Sequence, residues 1–306
     1  MPEKQKTAGG YVAAVGMFDG VHLGHRFVVE RLVGESRERG LSSMIVTFRR
    51  HPLEVIAPER APRLITGAEQ KERLLLDLGV ERVCMLDFDR SLRSLTAAEF
   101  MQRLHDECGV RVLMIGYDHC FGSDCPRGIE AYRAIGEQTG VEVIGMPALA
   151  PSGEQICSSM IRRLLSSGDV ATAAKALGHP FSITGVVEHG RQLGRTIGFP
   201  TANLRLADDA IVPREGVYAA AATMPDGLLR PAMVNIGRRP TVDRPGADLS
   251  IEAHILDFTG FFYDETLSLT FCRRLRDERR FDSLEELKEA LAADAAATRK
   301  ALGEMP

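Results

Sequence analysis

The sequence lacks three features that would assign it to a class directly. It has no run of about 18 apolar residues, which excludes a membrane-spanning helix. It has no basic block either, and 38 Lys and Arg against 42 Asp and Glu give a net charge of −4, which argues against a dedicated nucleic-acid binder. Residues 1–10 lack the apolar stretch of a secretory signal, so we expect a cytoplasmic protein.

Disulfide-type cysteine spacing is absent, and lysine is scarce. Six cysteines follow no disulfide framework and are predicted to be reduced thiols: Cys84, Cys108, Cys120, Cys125, Cys157 and Cys272. The pair Cys120 and Cys125 beside His119 could mimic a metal site, but with no second pair the thiol interpretation is favoured. Only six of the 38 basic residues are Lys, and the Arg that dominate suit phosphate recognition.

A hydrophobic content of 44% over 306 residues is typical of a globular chain of about two domains. Residues 8–178 alternate strand-like and helix-like patterns, beginning with a strand over Tyr11–Phe18 and a helix over His25–Gly40. This alternation predicts an α/β domain with a parallel sheet, which binds ligands at the carboxyl ends of its strands.

The end of this first domain is predicted from helix caps and turn residues. Thr96 with Glu99 forms a capping box that predicts a helix over Thr96–Cys108. Short helices are predicted over Ser159–Leu165 and Val170–Leu177. The Gly-His-Pro sequence that begins at Gly178 then interrupts the chain, and we place the domain boundary there.

Residues 179–306 change to a strand-rich pattern. Strands separated by Gly, Pro and Asp turns are predicted over Phe181–Val187, Gly216–Thr223, Pro231–Asn235, Leu249–Leu256 and Thr266–Phe271. The helix signal returns at Ser283–Lys300, where Ser283 and Glu286 form a second capping box. The second domain is therefore predicted to be a small antiparallel β-barrel closed by a C-terminal helix.

The turn between the first strand and helix reads Gly16-Met17-Phe18-Asp19-Gly20-Val21-His22-Leu23-Gly24-His25. Its glycines let the backbone approach a ligand, and the N-terminus of the helix offers N–H groups to an anion. His22 and His25, three residues apart, can face one phosphate group and stabilise charge that develops during its transfer. A zinc site is disfavoured because no second Cys/His pair has matching spacing, and two ordinary turn histidines are the less favoured alternative.

This segment resembles the His-x-Gly-His nucleotidylyltransferase superfamily, which transfers an AMP or CMP unit onto a phosphate or carboxylate. The resemblance implies a Rossmann-like fold and catalytic roles for His22 and His25. It implies ATP-binding roles for Gly16, Phe18, Asp19, Gly20 and Gly24. A second superfamily signature, a Ser/Thr-rich turn opening a late helix, matches residues 156–162. It implies that Ser159 caps that helix and binds ATP, and that Arg162 forms a catalytic fork on the phosphates. A P-loop is excluded, since no Gly-x4-Gly-Lys-Ser/Thr occurs.

Two further segments, 47–52 and 116–122, follow the second and fourth predicted strands. They resemble the Thr-Phe-x-Pro-His-Pro and Gly-x-Asp-Phe-x-Phe-Gly segments of the bacterial bifunctional riboflavin kinase/FAD synthetase (FMN adenylyltransferase) family. The resemblance implies that His51 and Asp118 bind flavin. The sequence departs from the family pattern at Arg50, His119 and Cys157, where Pro, Phe and Ser are usual.

The second domain carries a glycine-rich segment that ends in Gly198-Phe199-Pro200-Thr201-Ala202-Asn203. A loop with this glycine spacing can fold over phosphates with its amides inward. The predicted ATP-binding residues in it are Gly190, Arg191, Gly194, Arg195, Gly198 and Thr201. The Thr201 hydroxyl and the Asn203 amide oxygen are hard donors suited to Mg²⁺, and the alternative is a β-turn region with a structural Asn. With Pro-Thr-Ala-Asn attached, the segment resembles the riboflavin kinase family, where the Thr and Asn hold Mg-ATP.

Glu252 lies on a predicted strand whose other positions, Ile251, Ala253 and Ile255, are apolar. A kinase needs a group that orients or deprotonates the accepting hydroxyl. By resemblance Glu252 is the general base for the riboflavin 5′-hydroxyl. Without the family motif, a solvated charge on an exposed strand face would be favoured.

The resemblance covers residues 11–281 and implies a multifunctional transferase of flavin cofactor biosynthesis. Its kinase domain would phosphorylate riboflavin to FMN, and its nucleotidyltransferase domain would adenylylate FMN to FAD and pyrophosphate. The implied ligands are ATP with Mg²⁺, riboflavin, FMN and FAD, without nucleic acid or membrane, in a monomer or weak homo-oligomer. The alternatives are a monofunctional riboflavin kinase with an impaired N-terminal domain, or a non-catalytic nucleotide- or RNA-binding regulator.

Overall fold

The structure is a computed structural model that describes residues 9–116, 120–146, 156–189, 198–207, 209–239, 248–258, 260 and 262–303. By internal contacts the chain forms two compact units, Met1–Cys157 and Ser158–Pro306. The helices that we expected to close the first domain therefore group with the second unit. The boundary near Gly178 stays a prediction.

The strands of the first unit are β1 Tyr11–Val15, β2 Ser42–Phe48, β3 Arg82–Leu86, β4 Val110–Ile115 and β5 Glu142–Gly145. Its helices are α1 Leu23–Arg39, α2 Leu53–Ile56, α3 Ala68–Asp77, α4 Arg90–Ser94, α5 Ala97–Arg103 and α6 Ile129–Thr139. The sheet has the order β3-β2-β1-β4-β5, and every pairing is parallel. The predicted α/β fold is confirmed.

The core of this unit lies on both faces of the sheet, as β1 illustrates. Tyr11 and Ala13 pack into one apolar cluster, while Val12 and Ala14 pack into another. Side chains alternate between faces along a strand, so a strand covered by helices on both sides is apolar throughout. This is why the first strand reads as a continuous apolar run.

Helix ends in this unit follow their capping residues. The capping box of Thr96 and Glu99 is present, as predicted. The helix it starts does not run regularly to Cys108, because Leu104–Cys108 forms a wider π-helical turn that ends at Gly109, where φ is 76°. The first strand is also shorter than predicted: it ends at Val15, ahead of Phe18, whose φ of 48° is incompatible with an extended strand.

The second unit begins with α7 Ser158–Ser167 and α8 Val170–Leu177 and ends with α9 Leu284–Gly303. Between them lie β6 Ser182–Glu188, β7 Ala202–Arg205, β8 Gly216–Thr223, β9 Leu229–Arg239, β10 Asp248–Ile255 and β11 Thr266–Arg276. The strands close into a barrel of order β10-β7-β6-β11-β8-β9 with antiparallel pairings, which confirms the predicted barrel. Sequence patterning missed β7, because this short strand lies within the glycine- and proline-rich motif.

Two cysteines differ from expectation. Cys120 and Cys125 are joined as a disulfide, with their Cα atoms 5.5 Å apart. The sequence predicts free thiols at both positions, and this prediction is wrong. A spacing of five residues does not by itself reveal that the chain reverses between them. Cys84, Cys108, Cys157 and Cys272 are thiols, as expected.

Candidate functional site

The predicted His-x-Gly-His turn connects β1 to α1 at the carboxyl end of the sheet. Gly20 has a φ of 85°, and two residues that are not glycine, Phe18 and Val21, also lie in the left-handed region, at 48° and 40°. A positive φ at a β-branched residue is a strained conformation that costs on the order of 1–3 kcal/mol. Such strain persists only where neighbouring contacts fix the backbone, and it is concentrated at functional sites.

His22 and His25 are brought together by this turn. The backbone N–H of His25 donates to His22 Nδ1 at 3.3 Å, which makes His22 the N-cap of α1. Their rings stack with centroids 3.7 Å apart. A Cβ at Gly24 would lie 3.1 Å from the His22 ring and 3.2 Å from the Ile156 carbonyl oxygen, so a side chain there would crowd both groups.

Burial sets the charge state of His25. Burial lowers the pKa of its imidazole well below 6.5, and the nearby His22 and Lys71 lower it further. Its Nδ1 atom is buried without a hydrogen-bond partner among the described residues. A buried polar atom without a partner is costly, and it is the kind of group that a ligand satisfies.

Asp19, a predicted ATP-binding residue, is 2% exposed. Its Oδ1 atom accepts hydrogen bonds from the backbone N–H groups of Ile65 and Thr66 at 2.9 and 3.1 Å. The Thr66 hydroxyl in turn accepts from Gly20 N at 3.0 Å. These bonds show that Asp19 ties the turn to the segment before α3, and its predicted contact with ATP stays a prediction.

Lys71 on α3 was not identified from the sequence, yet it lies at the centre of this region. It is fully buried, and its Nζ atom donates to the Phe48 carbonyl at 2.6 Å and to the Met17 carbonyl at 3.2 Å. Burial lowers its pKa to about 8, against the opposing effect of Asp19. In the sequence, nothing distinguishes this Lys from one on the solvent face of an amphipathic helix.

A cavity of about 550 Å³ opens beside the turn. Apolar and aromatic residues dominate its lining, among them Gly16, Met17, Phe48, Phe88, Phe100 and Phe121. His51 also lines it, and His51 Nδ1 accepts from Leu53 N at 3.1 Å. Its role toward flavin stays a prediction. Cavities of this size with aromatic walls suit planar ring systems of cofactor size.

The structure does not test every predicted residue of the nucleotide sites. Asp118, Gly190, Arg191, Gly194 and Arg195 lie outside the described residues.

The second superfamily signature, residues 156–162, lies mostly on α7. That helix begins at Ser158, which makes Ser159 its second residue and corrects the expectation that Ser159 is the cap. Arg162 lies on the same helix, one turn further along. Their roles toward ATP stay predictions.

The second candidate site is built by strand register. Glu252 on β10 pairs with Asn203 on β7 and with Asn235 on β9, so the three side chains share one face of the barrel wall. The alternating neighbours Ile251, Ala253 and Ile255 are buried, as predicted. The Thr201 hydroxyl donates to Glu252 Oε2 at 3.3 Å, and Gly198 has a φ of 86°.

A cavity of about 310 Å³ lies on this face and includes Thr201, Asn235, Glu252, His254 and Glu278 in its lining. Asn235 Nδ2 donates to Glu278 Oε1 at 3.2 Å. His254 Nδ1 lies 2.7 Å from the Pro200 carbonyl, the residue before Thr201. Sequence reasoning named no role for Asn235, His254 or Glu278. For His254 the sequence did contain an indication: it lies two residues from Glu252 on the same strand, so both side chains lie on one face.

The oxygen donors of this face fit the predicted magnesium ion. The Thr201 hydroxyl and the Glu252 carboxylate are in contact, and Asn203 lies opposite Glu252 on the next strand. Mg²⁺ prefers such hard donors and takes few of them from protein when nucleotide phosphates complete its shell. Within the described ranges, no three His, Cys, Asp or Glu side chains converge on one point. None of the helices described is both long and apolar enough to cross a bilayer.

Comparison with known proteins places a known family on each part of the chain. The family model for FAD synthetase matches residues 4–160, and the family model for riboflavin kinase matches residues 177–302. A crystal structure described as a macrolide-efflux protein from Streptococcus pneumoniae is similar to the chain with a TM-score of 0.84. It is 33% identical and covers 96% of this chain and 95% of its own.

Curated relatives extend over nearly the whole chain. The bifunctional riboflavin kinase/FMN adenylyltransferase of Pseudomonas fluorescens is 41% identical over 95% of this chain and 92% of its own length. The enzyme of the same name from Escherichia coli K12 is 37% identical over 96% of this chain and 93% of its own length. Such identity over both matched regions shows that the chain belongs to the bifunctional riboflavin kinase/FMN adenylyltransferase family.

Proposed function

We propose that the second unit phosphorylates riboflavin to FMN and that the first unit adenylylates FMN to FAD. The observation that carries this division is the presence of two separately built sites with different chemistry. One combines buried histidines with an aromatic cavity of about 550 Å³, and the other aligns Thr201, Asn203 and Glu252 on a barrel face. The chain is accordingly both a phosphotransferase and a nucleotidyltransferase, with ATP as donor in each reaction.

In the first unit, an oxygen of the FMN phosphate attacks the α-phosphorus of ATP. A new P–O–P bond forms, the bond between the α-phosphorus and the bridging oxygen breaks, and pyrophosphate leaves with the electron pair. Catalysis here is alignment together with stabilisation of developing negative charge. His22 and His25 supply hydrogen bonds to the phosphate oxygens, while the aromatic cavity, His51 and Asp118 hold the flavin.

In the first unit, ATP lies on Gly16, Phe18, Asp19, Gly20 and Gly24. For Ser159 and Arg162, which lie on α7, binding of ATP phosphates follows from the resemblance alone. This division of roles follows the resemblance residue by residue, and the geometry of the His turn supports it. Anions bind readily at helix N-termini with close backbone approach, and the His22-capped start of α1 is such a place.

In the second unit, the 5′-oxygen of riboflavin attacks the γ-phosphorus of ATP. The Glu252 carboxylate accepts the hydroxyl proton, and ADP leaves. ATP is held by Gly190, Arg191, Gly194, Arg195, Gly198 and Thr201. Thr201 and Asn203 would hold Mg²⁺, which neutralises phosphate charge when bound.

Purified full-length protein given riboflavin, ATP and Mg²⁺ tests the proposal by chromatography of the products over time. FMN should form first and FAD after it, and chelation of Mg²⁺ with EDTA should stop FMN formation. FMN that accumulates without FAD, even when pyrophosphate is removed, would select a monofunctional kinase instead. Salt-sensitive RNA binding without turnover would indicate a regulator. If neither FMN nor FAD is formed, the proposal is wrong.

We also propose that the protein acts in the cytoplasm without nucleic acid or membrane, as a monomer or weak homo-oligomer. Its net charge of −4 supports the absence of nucleic acid. Light scattering coupled to size-exclusion chromatography, at several protein concentrations, checks the second.

A further inference from the structure

A buried lysine joins the two parts of the first site. Lys71 is 0% exposed on α3, and its Nζ atom donates to the carbonyls of Met17 and Phe48. Both carbonyls belong to residues that line the 550 Å³ cavity. Buried lysines are rare, because an ammonium group loses its hydration unless polar groups replace the water.

The two carbonyls belong to chain segments with different tasks. Met17 lies in the turn that leads to His22 and His25, and Phe48 ends β2 just before His51. The Met17 carbonyl also accepts from the Thr47 hydroxyl at 2.9 Å. The ammonium of Lys71 therefore connects the segment that carries the histidines to the wall of the cavity.

We propose that Lys71 is a positioning residue for adenylyl transfer, because its ammonium holds the histidine turn in register with the wall of the flavin cavity. Small displacements of aligned reacting groups are costly, and 1 Å can lower a rate on the order of 100-fold. This inference rests on the proposed adenylyltransferase activity of the first unit.

The charge of Lys71 adds a second, testable contribution. Burial is the main cause of the lowered pKa of His25, and His22 and then Lys71 lower it further, so Lys71 adds to the preference for the neutral imidazole. Asp19 faces Lys71 and favours its charged form, although burial brings its pKa down to about 8. The ammonium is therefore present below about pH 8 and is lost as the pH rises through that value.

Lys71→Met removes the ammonium and keeps the length of the side chain. We expect the kcat of FAD formation from supplied FMN to fall about 100-fold, with a much smaller change in KM. Wild-type FAD formation should decline above about pH 8, and this alkaline limb should be absent from the variant. The part of the pH–rate profile that follows the titration of His25 should move to higher pH in the variant. The positive charge of Lys71, which lowers the pKa of His25, is absent there.

Two variants separate these effects from a loss of structure. Thr47→Val removes the other hydrogen bond to the Met17 carbonyl without changing charge, and should lower the rate without moving either limb. Lys175→Met removes an exposed lysine of α8 and should change nothing. The FMN-forming rate and circular dichroism of each full-length variant report whether the protein is folded.

The pH dependence of FAD formation by the wild-type protein tests the inference even if Lys71→Met fails to fold. FAD formation that stays constant to pH 9.5, about 1.5 units above the pKa expected for Lys71, would overturn the inference. So would a folded Lys71→Met protein with wild-type kcat and wild-type limbs. If the wild-type protein makes no FAD at all, the proposed function of the first unit has failed instead.

Discussion

The two proposed ATP sites differ in their electrostatics. In the first unit, the turn brings together the nitrogen groups of His22, His25 and the buried Lys71. The Asp19 carboxylate of the same turn is taken up by backbone N–H groups. In the second unit, Thr201 and Glu252 present oxygen atoms on a partly exposed barrel face. The first site can stabilise developing negative charge with its own groups. The second presents a carboxylate where we propose that phosphates bind, an arrangement that the proposed Mg²⁺ would make favourable.

The two sites also differ in how the backbone positions them. The first depends on a strained turn, with Val21 at a φ of 40°, that buried contacts hold in place. The second depends on regular strand pairing of Glu252 with Asn203 and Asn235. Substitutions in the first site are therefore expected to affect both stability and rate, whereas those in the second should affect rate alone.

Glu252→Gln is expected to give the largest effect, and it tests whether FMN formation and FAD formation take place at separate sites. We expect FMN formation to fall on the order of 1,000-fold, since loss of a general base costs 10²–10⁴ in rate. FAD formation from supplied FMN should be unchanged, because Gln preserves the strand and its pairing. Both rates are measured on one preparation, with Thr201→Ser as a control that keeps the hydroxyl. A loss below about tenfold would exclude Glu252 as the base.

His25→Ala should give the reverse pattern, with a smaller effect. We expect FAD formation to fall on the order of 100-fold, the usual effect of losing one donor to a developing charge. FMN formation should remain within about twofold of wild type. His179→Ala, a histidine bonded to its neighbour Pro180, provides the matched control. Equal damage to both activities in a folded protein would contradict the model of two sites.

Asp19→Ala tests the difference in stability. Two buried N–H groups, from Ile65 and Thr66, lose a charged acceptor, so we expect the first unit to lose about 2 kcal/mol of unfolding free energy. Asp169→Ala removes an exposed cap of α8 and should cost about 1 kcal/mol. Denaturant titration followed by circular dichroism measures both variants. A smaller loss for Asp19→Ala than for Asp169→Ala would contradict the assigned structural role.

Local signals in the sequence were sufficient for most elements. The cap at Thr96, the alternation around Glu252 and the two motifs depend on residues close to one another along the chain. The helices and strands that they specify can therefore be recognised without knowledge of tertiary contacts. This explains why the parallel sheet and the barrel could be predicted.

The remaining features depend on distant partners. The carbonyls bonded by Lys71 lie 54 and 23 residues away from it, so nothing near Lys71 indicates that it is buried. The disulfide of Cys120 and Cys125 depends on a chain reversal in their loop. Strand β7 has four residues within the glycine- and proline-rich motif, so only its pairing with β10, between residues 202–203 and 252–253, reveals it as a strand.

His254 gives the weakest expected effect and tests how independent the second site is of its neighbours. Its Nδ1 donates to the Pro200 carbonyl at 2.7 Å, and its ring lies 5.1 Å from that of Phe199. Burial lowers its pKa, so the imidazole is neutral at pH 7. His254→Leu should cost about 1 kcal/mol, the net value of one hydrogen bond, seen as a KM for ATP about fivefold higher in FMN formation.

That small change is informative because Pro200 immediately precedes Thr201. If His254 holds the loop in place, the rise in KM should occur with little change in kcat, and His254→Asn, which can still donate, should recover part of it. FAD formation should not change in either variant. An unaltered KM in His254→Leu would mean that the register of β7 with β10 alone fixes Thr201, which would make the second site independent of its loop contacts.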